Sequence, residues 1–317
     1  MTTECCVLYR PDSPELRFLP EGPYSLSDGR LSWVGIQHGG TSTIGSVNIY
    51  DPSTKTNESF DLPGRPGFAF PTDQPGVFVC GVERSLGFFD SNTGDWTEFA
   101  TDVDNDVDNT IINDGVVYED NLIFGCKELE FKTKKAGLYL WRGKDKQLIQ
   151  LRNDQICSNG KAVVTQSDNS LALIDIDSPS KTITCGELNI ADGNLGEQRI
   201  IVDLRNEDRF PDGMIVTPDG RSVIVAFYDP GDPSAGAAVQ YGIESGEQEA
   251  EWSCPGSPRV TCPQLFRLNE SVHLVLTSAV EHMEPDQAAK HTNAGTLFIG
   301  PTPFDSTGEQ PTFPTKM

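Results

Sequence analysis

Four short motifs carry the residues best suited to chemistry: Pro20-Glu21-Gly22-Pro23, Asn113-Asp114-Gly115, Ser158-Asn159-Gly160 and Pro211-Asp212-Gly213-Met214. Each sets a carboxylate or an amide in or beside a Gly or Pro turn. Such turns lie at strand ends, where a side chain points into a shared cavity. Oxygen ligands gathered from distant loops are what a hard divalent cation requires. The motifs therefore predict a metal at the centre of a closed, repetitive fold.

The elements that would position them are strands. Amphipathic helical periodicity is nearly absent, and short apolar runs alternate with turns rich in Asp, Gly, Asn, Ser and Pro. Ser46–Tyr50, Leu86–Phe89, Gly137–Trp141, Leu171–Asp175, Val223–Phe227, Leu274–Thr277 and Thr296–Ile299 are such runs. Their spacing suggests degenerate units of about 40 to 50 residues, six or seven in all, which suits a β-propeller. No Pro/Ser-rich or charge-run linker interrupts the middle of the chain. A single domain over 1–317 is expected, with 301–317 as an irregular surface tail.

Composition excludes several classes. The formal charge of −23 on 317 residues opposes binding to nucleic acid or to an anionic membrane, because both need a basic face. No stretch approaches the roughly 20 apolar residues of a transmembrane helix. The N-terminus lacks a basic region followed by an apolar core, so no signal peptide and a cytoplasmic location are expected. The eight cysteines include no Cys-x-x-Cys and are expected to be free thiols. Gly-x-Ser-x-Gly, the P-loop and the dinucleotide fingerprint are all missing. His38, His273, His282 and His291 show no metal-site spacing, and Cys157 reads as a packing residue. The run Asp102–Asn109 has Val107 and Asn113 where a calcium loop needs Gly and Glu, and reads as a solvated acidic loop.

In this order and spacing the four motifs resemble the regucalcin/gluconolactonase family (senescence marker protein), which includes luciferin-regenerating and lactonase-like proteins. Leu276–Ala279 and Ala294–Phe298 add to the resemblance, and Ala136–Leu140 matches its blade pattern more loosely. The resemblance runs from Glu21 to Gly300. It implies an all-β, six-bladed β-propeller with one divalent cation near the central axis. It also implies Glu21, Asn159 and Asp212 as the metal ligands. Asn113 matches a position that contacts substrate or a metal-bound water, and Glu128, with Lys127 and Glu130, falls near a second substrate-contacting segment. Two carboxylates and an amide suit Ca²⁺, Mg²⁺ or Mn²⁺, whereas Zn²⁺ more often takes His or Cys. The chain departs from the family at Ile111, where members acting on sugar acids carry Arg. It departs again at Tyr24-Ser25-Leu26, which lacks a Trp.

The expected function is metal-dependent hydrolysis of a lactone or related cyclic ester, a small molecule, with Asp212 as general base. A non-catalytic calcium- or metabolite-binding propeller, or an interaction scaffold, is the alternative from another class. A metal-dependent phosphotriesterase is a third reading, and the oligomeric state is left open.

Overall fold

The apolar runs form strands. The computed structural model describes residues 2–316 and is 55% strand and 4% helix. The chain opens with β1 (Thr2–Glu4) and β2 (Cys6–Tyr9), then β3 (Pro20–Ser25), β4 (Leu31–Gly35), β5 (Ser46–Asp51) and β6 (Thr56–Asp61). Next come β7 (Pro66–Pro71), β8 (Val77–Val82), β9 (Ser85–Asp90) and β10 (Asp95–Ala100). They are followed by β11 (Thr110–Tyr118), β12 (Asn121–Glu128), β13 (Ala136–Arg142) and β14 (Gln147–Gln155). After these lie β15 (Ser158–Thr165), β16 (Leu171–Asp177), β17 (Thr182–Asn189), the short β18 (Asn194–Leu195) and β19 (Arg199–Asp203). Then come β20 (Phe210–Val216), β21 (Ser222–Tyr228), β22 (Ala235–Gly242) and β23 (Gln248–Pro255). The last elements are β24 (Val260–Leu268), β25 (Ser271–Ser278), the helix α1 (Pro285–Lys290) and β26 (Leu297–Pro301).

Six sheets, antiparallel apart from the added strand β1, make the fold a six-bladed β-propeller. Two compact units hold three blades each: Met1–Pro66 with Glu207–Gln310, and Gly67–Asn206 with Pro311–Met317. In the first, β3 to β6 form one blade and β20 to β23 another, with β1 added in parallel to β23. The third blade of this unit runs β24, β25, β26, and the N-terminal β2 completes it by pairing with β26. In the second unit, β7 to β10 and β11 to β14 are blades in sequence order, and β15, β16, β17 and β19 form the third.

The burial pattern follows strand position. Middle strands such as β4 and β12 are buried throughout and are built around apolar stretches such as Leu122–Phe124, whereas the outer β6 and β10 are largely exposed and polar. In the first unit Trp252, Cys254, Leu265, Leu274 and Phe298 pack into one core cluster. In the second, Phe68, Phe124, Tyr139, Trp141 and Phe313 share another.

Three local features differ from the sequence expectations. The motifs expected to be turns are β-bulges inside the first strands of their blades. The ladder register shifts between Glu21 and Tyr24, Ile112 and Gly115, Asn159 and Lys161, and Pro211 and Met214. Gly serves both a turn and a bulge, but a bulge leaves the strand running while re-aiming one side chain. The acidic run is not solvated throughout, because Asp104 is 2% exposed. Its Oδ1 accepts a hydrogen bond from the Tyr139 hydroxyl at 2.7 Å, and its carbonyl accepts one from Arg84 at 3.0 Å. The C-terminal tail is not wholly superficial either. Phe313 is fully buried in the second unit, bridged to Thr72 and packed near Phe88 and Phe99.

Candidate functional site

All four motif residues lie on the first strand of a blade, and the geometry can be followed unit by unit. In the second unit the bulges of β11 and β15 meet. Asn113 Nδ2 donates to Ser158 O at 2.8 Å and to Asn159 Oδ1 at 2.9 Å. Both amide protons of Asn113 are thereby engaged, and its Oδ1 keeps the acceptor capacity. Asn159 Nδ2 donates to Ser178 Oγ at 2.9 Å and contacts Cys157 Sγ at 3.5 Å, so the orientation of this amide is fixed. Asn113 and Asn159 are 5% and 7% exposed. β7 also runs close to this bulge, since a Cβ at Gly67 would lie 2.2 Å from the Asn113 carbonyl oxygen.

A charged layer that the motifs did not reveal supports this pair. The Lys161 and Asp175 side chains are 0% and 2% exposed and form an ion pair at 3.5 Å. Lys161 Nζ also donates to the main-chain oxygen of Asn159. Asp175 Oδ2 accepts from Gln155 Nε2 at 2.5 Å. Burial raises the Asp175 carboxyl above its usual range, opposed by the charges of Lys161 and Arg152. Asp114 is raised in the same way by burial, against Lys161 and the Gly115 N–H. Asp177 accepts from Ile156 N and Cys157 N at 3.1 and 2.9 Å, which fixes the chain just before Asn159. Its carboxyl is also raised, chiefly by burial.

Glu128 is 2% exposed, but its carboxylate accepts from Asn109 Nδ2 at 3.0 Å and from Lys132 N at 2.8 Å. Burial alone would raise its pKa. The hydrogen bonds from Lys132, Glu130 and Asn109 outweigh that and hold it below the usual range. Both oxygens thus stabilise the loop that follows β12.

In the first unit, Glu21 is half-buried on β3 and Asp212 is 7% exposed on β20. β24 packs against both strands and carries a matching bulge between Val260 and Pro263. There Thr261 Oγ1 donates to Pro20 O at 2.7 Å and pairs with Thr277 Oγ1 at 2.8 Å, which fixes the chain entering Glu21. Among the described residues, no group of three or more His, Cys, Asp and Glu side chains is arranged to hold a metal ion.

The family model described as SMP-30/Gluconolactonase/LRE-like region matches residues 19–280. The chain belongs to this SMP-30/gluconolactonase/LRE-like family. It is 28% identical over 158 residues to an uncharacterized protein of Sulfolobus acidocaldarius, and 25% identical over 123 residues to regucalcin of Gallus gallus. Those matches take in half and 39% of this chain, and 53% and 38% of the relatives' own lengths. The chain therefore spans about half or less of the curated relatives it matches.

Among solved structures, regucalcin from Agrobacterium tumefaciens, described as a calcium-binding protein, aligns at TM-score 0.81 with 18% identity, over 99% of this chain and 98% of that one. A luciferin-regenerating enzyme aligns at 0.73 with 18% identity, over 92% and 95%. A gluconolactonase from Xanthomonas campestris aligns at 0.65 with 15% identity, over 94% and 89%. At these identities the likeness shows the fold.

Within this family member, Lys161, Asp175 and Asp177 are the residues the motifs missed. A signal was present, because Lys161 is a charge directly before the apolar run Ala162–Val164 and Asp175 is a single charge inside the run Leu171–Ile176. Ile111, where a sugar-acid lactonase of the family would carry Arg, is 2% exposed and pairs with Lys127 in the β11–β12 ladder.

Proposed function

We propose that this family member is a metal-dependent hydrolase acting on a lactone or related cyclic ester. The observation that supports this most is that Glu21, Asn113, Asn159 and Asp212 each stand at a bulge in the first strand of a blade. Bulges re-aim side chains next to active sites. The donor set suits a hard cation: two carboxylates, and an amide whose nitrogen is anchored so that its oxygen is presented. Glu21, Asn159 and Asp212 are the proposed ligands of one divalent ion, with Ca²⁺, Mg²⁺ and Mn²⁺ favoured over Zn²⁺ by oxygen-only ligation. When bound, the ion supplies Lewis acidity, drawing electron density from a carbonyl oxygen and lowering the pKa of water.

Asp212 takes the proton of the attacking water as general base. Asn113, with both amide protons held, offers Oδ1 to a substrate hydroxyl and orients the ring. Ile111 places no cation beside Asn113, so an uncharged lactone is preferred over one bearing a carboxylate. A small-molecule substrate and a cytoplasmic site of action belong to the same reading. No helix among the described residues is long and apolar enough to cross a membrane.

A non-catalytic calcium- or metabolite-binding propeller is the second reading, favoured by Ile111 and by the likeness to a calcium-binding regucalcin. The test is hydrolysis of sugar and aliphatic lactones by chelated protein resupplied with Mg²⁺, Mn²⁺, Ca²⁺ or Zn²⁺. Metal-restored turnover that is lost in Asp212→Ala supports the hydrolase. Tight binding of one ion with no turnover on any lactone moves the assignment to the binding protein.

A further inference from the structure

Resting on the metal-site reading above, we propose that Lys161 is a positioning residue that fixes the direction of the Asn159 amide. A lysine with no exposed side chain is unusual, because removing an ammonium from water is costly unless it is paired and hydrogen-bonded. Its ion pair with Asp175 accounts for the charge but not for where the ammonium sits. Nζ lies against the main-chain oxygen of Asn159, the residue whose side chain is the candidate ligand.

The bulge explains why that bond is needed. Asn159 stands opposite Ile176 and Lys161 opposite Asp175, so Gly160 has no partner and the ladder breaks there. A carbonyl displaced from a ladder must find another donor when buried. Lys161 supplies it from within the same strand. Gly125 on β12 leaves the room, since a Cβ there would lie 2.0 Å from Ser158 Oγ and 3.3 Å from Lys161 Cε. The Asn159 residue is then held at three points: its carbonyl by Lys161, its Nδ2 by Ser178, and its Oδ1 by one proton of Asn113. One lone pair of Oδ1 is left in a fixed direction. An ion pair serving stability alone would not need to touch the Asn159 main chain.

The test uses Lys161→Met/Asp175→Leu, which removes both charges together. Replacing a buried ion pair with apolar side chains of similar volume is often neutral for stability. Two quantities are read on the ¹⁵N-labelled full chain: hydrogen exchange of the Asn113 and Asn159 side-chain amides by NMR, and Mn²⁺ or Ca²⁺ affinity by calorimetry. The expected result is a folded double variant whose two side-chain amides exchange about tenfold faster or more. Its cation affinity falls about ten- to a hundredfold, the range for loss of a residue that orients a ligand. Unchanged side-chain exchange in the folded variant overturns the proposal. If the parent chain binds neither ion yet its amides respond as expected, the positioning role stands and the metal reading falls. Should the double variant not fold, Lys161→Met/Asp175→Asn, which leaves Gln155 a polar partner, is read the same way. Faster side-chain exchange despite a normal fold supports the donor role, and protection near the parent level overturns it.

Discussion

Asn113 Nδ2 donates to Asn159 Oδ1 at 2.9 Å, joining the bulges of β11 and β15 through a single amide proton. A carboxylate at position 113 cannot make that bond. Asn113→Asp also sets a negative charge against the Ser158 carbonyl and Asn159 Oδ1 while keeping the shape. The expected result is a loss of kcat/KM of about ten- to a hundredfold, as when a residue that orients a ligand is lost. Loss of the buried hydrogen bonds costs about 1–3 kcal/mol of stability. Lactone turnover and urea denaturation of the same variant measure the two effects.

Gly125→Ala tests how tightly the Ser158–Lys161 segment is lodged. A Cβ at Gly125 would lie 2.0 Å from Ser158 Oγ, so β15 must move away from β12. Overpacking of this kind costs about 1–3 kcal/mol. The stability loss is expected to accompany a change in the Asn159 side-chain amide resonance, both read on one sample.

Phe313→Ala removes a fully buried ring from the core of the second unit. Such truncations cost about 3–5 kcal/mol. Chemical denaturation is expected to show that loss even though the residue lies four positions from the end of the sequence. A change under about 1 kcal/mol would mean that the aromatic contacts with Phe88 and Phe99 contribute little.

Glu128→Gln tests the pH dependence of one buried carboxylate. Hydrogen bonds outweigh burial and depress the Glu128 pKa below its model-compound value of 4.5. The stabilisation belongs to the charged form. It is fully present above the unfolded pKa and is lost as pH falls through the folded one. The melting temperature of the parent is expected to exceed that of the variant from neutral pH down to about 4.5, with the gap closing below that value. A gap independent of pH would refute a charge-based role.

The blade pattern was legible in the sequence because middle strands are buried on both faces and read as unbroken apolar runs. Val223–Phe227 and Leu274–Thr277 are strands for that reason. The four motifs were legible as points of backbone irregularity, but Gly-rich tetrapeptides do not distinguish a chain reversal from a bulge. That distinction depends on whether partner strands continue past them, which is non-local. Asp104 escaped for the same reason, since its partner Tyr139 lies 35 residues away on β13. Lys161 and Asp175 were visible only as charges out of place, and their pairing is set by the register of β15 with β16. Glu21 and Asp212 owe their expected role to the family resemblance, and their burial alone assigns them none.

The pairing of β2 with β26 sets an order of events during synthesis. The residues Cys6–Tyr9 leave the ribosome long before their partner strand, Leu297–Pro301. Until that strand emerges, β2 has no partner and β25 has no outer neighbour, leaving an unsatisfied edge of the kind that recruits other chains. Contacts of such long sequence separation slow folding and lengthen that exposure. Expression yield is therefore expected to depend more on Cys6–Tyr9 than their small share of the core would suggest.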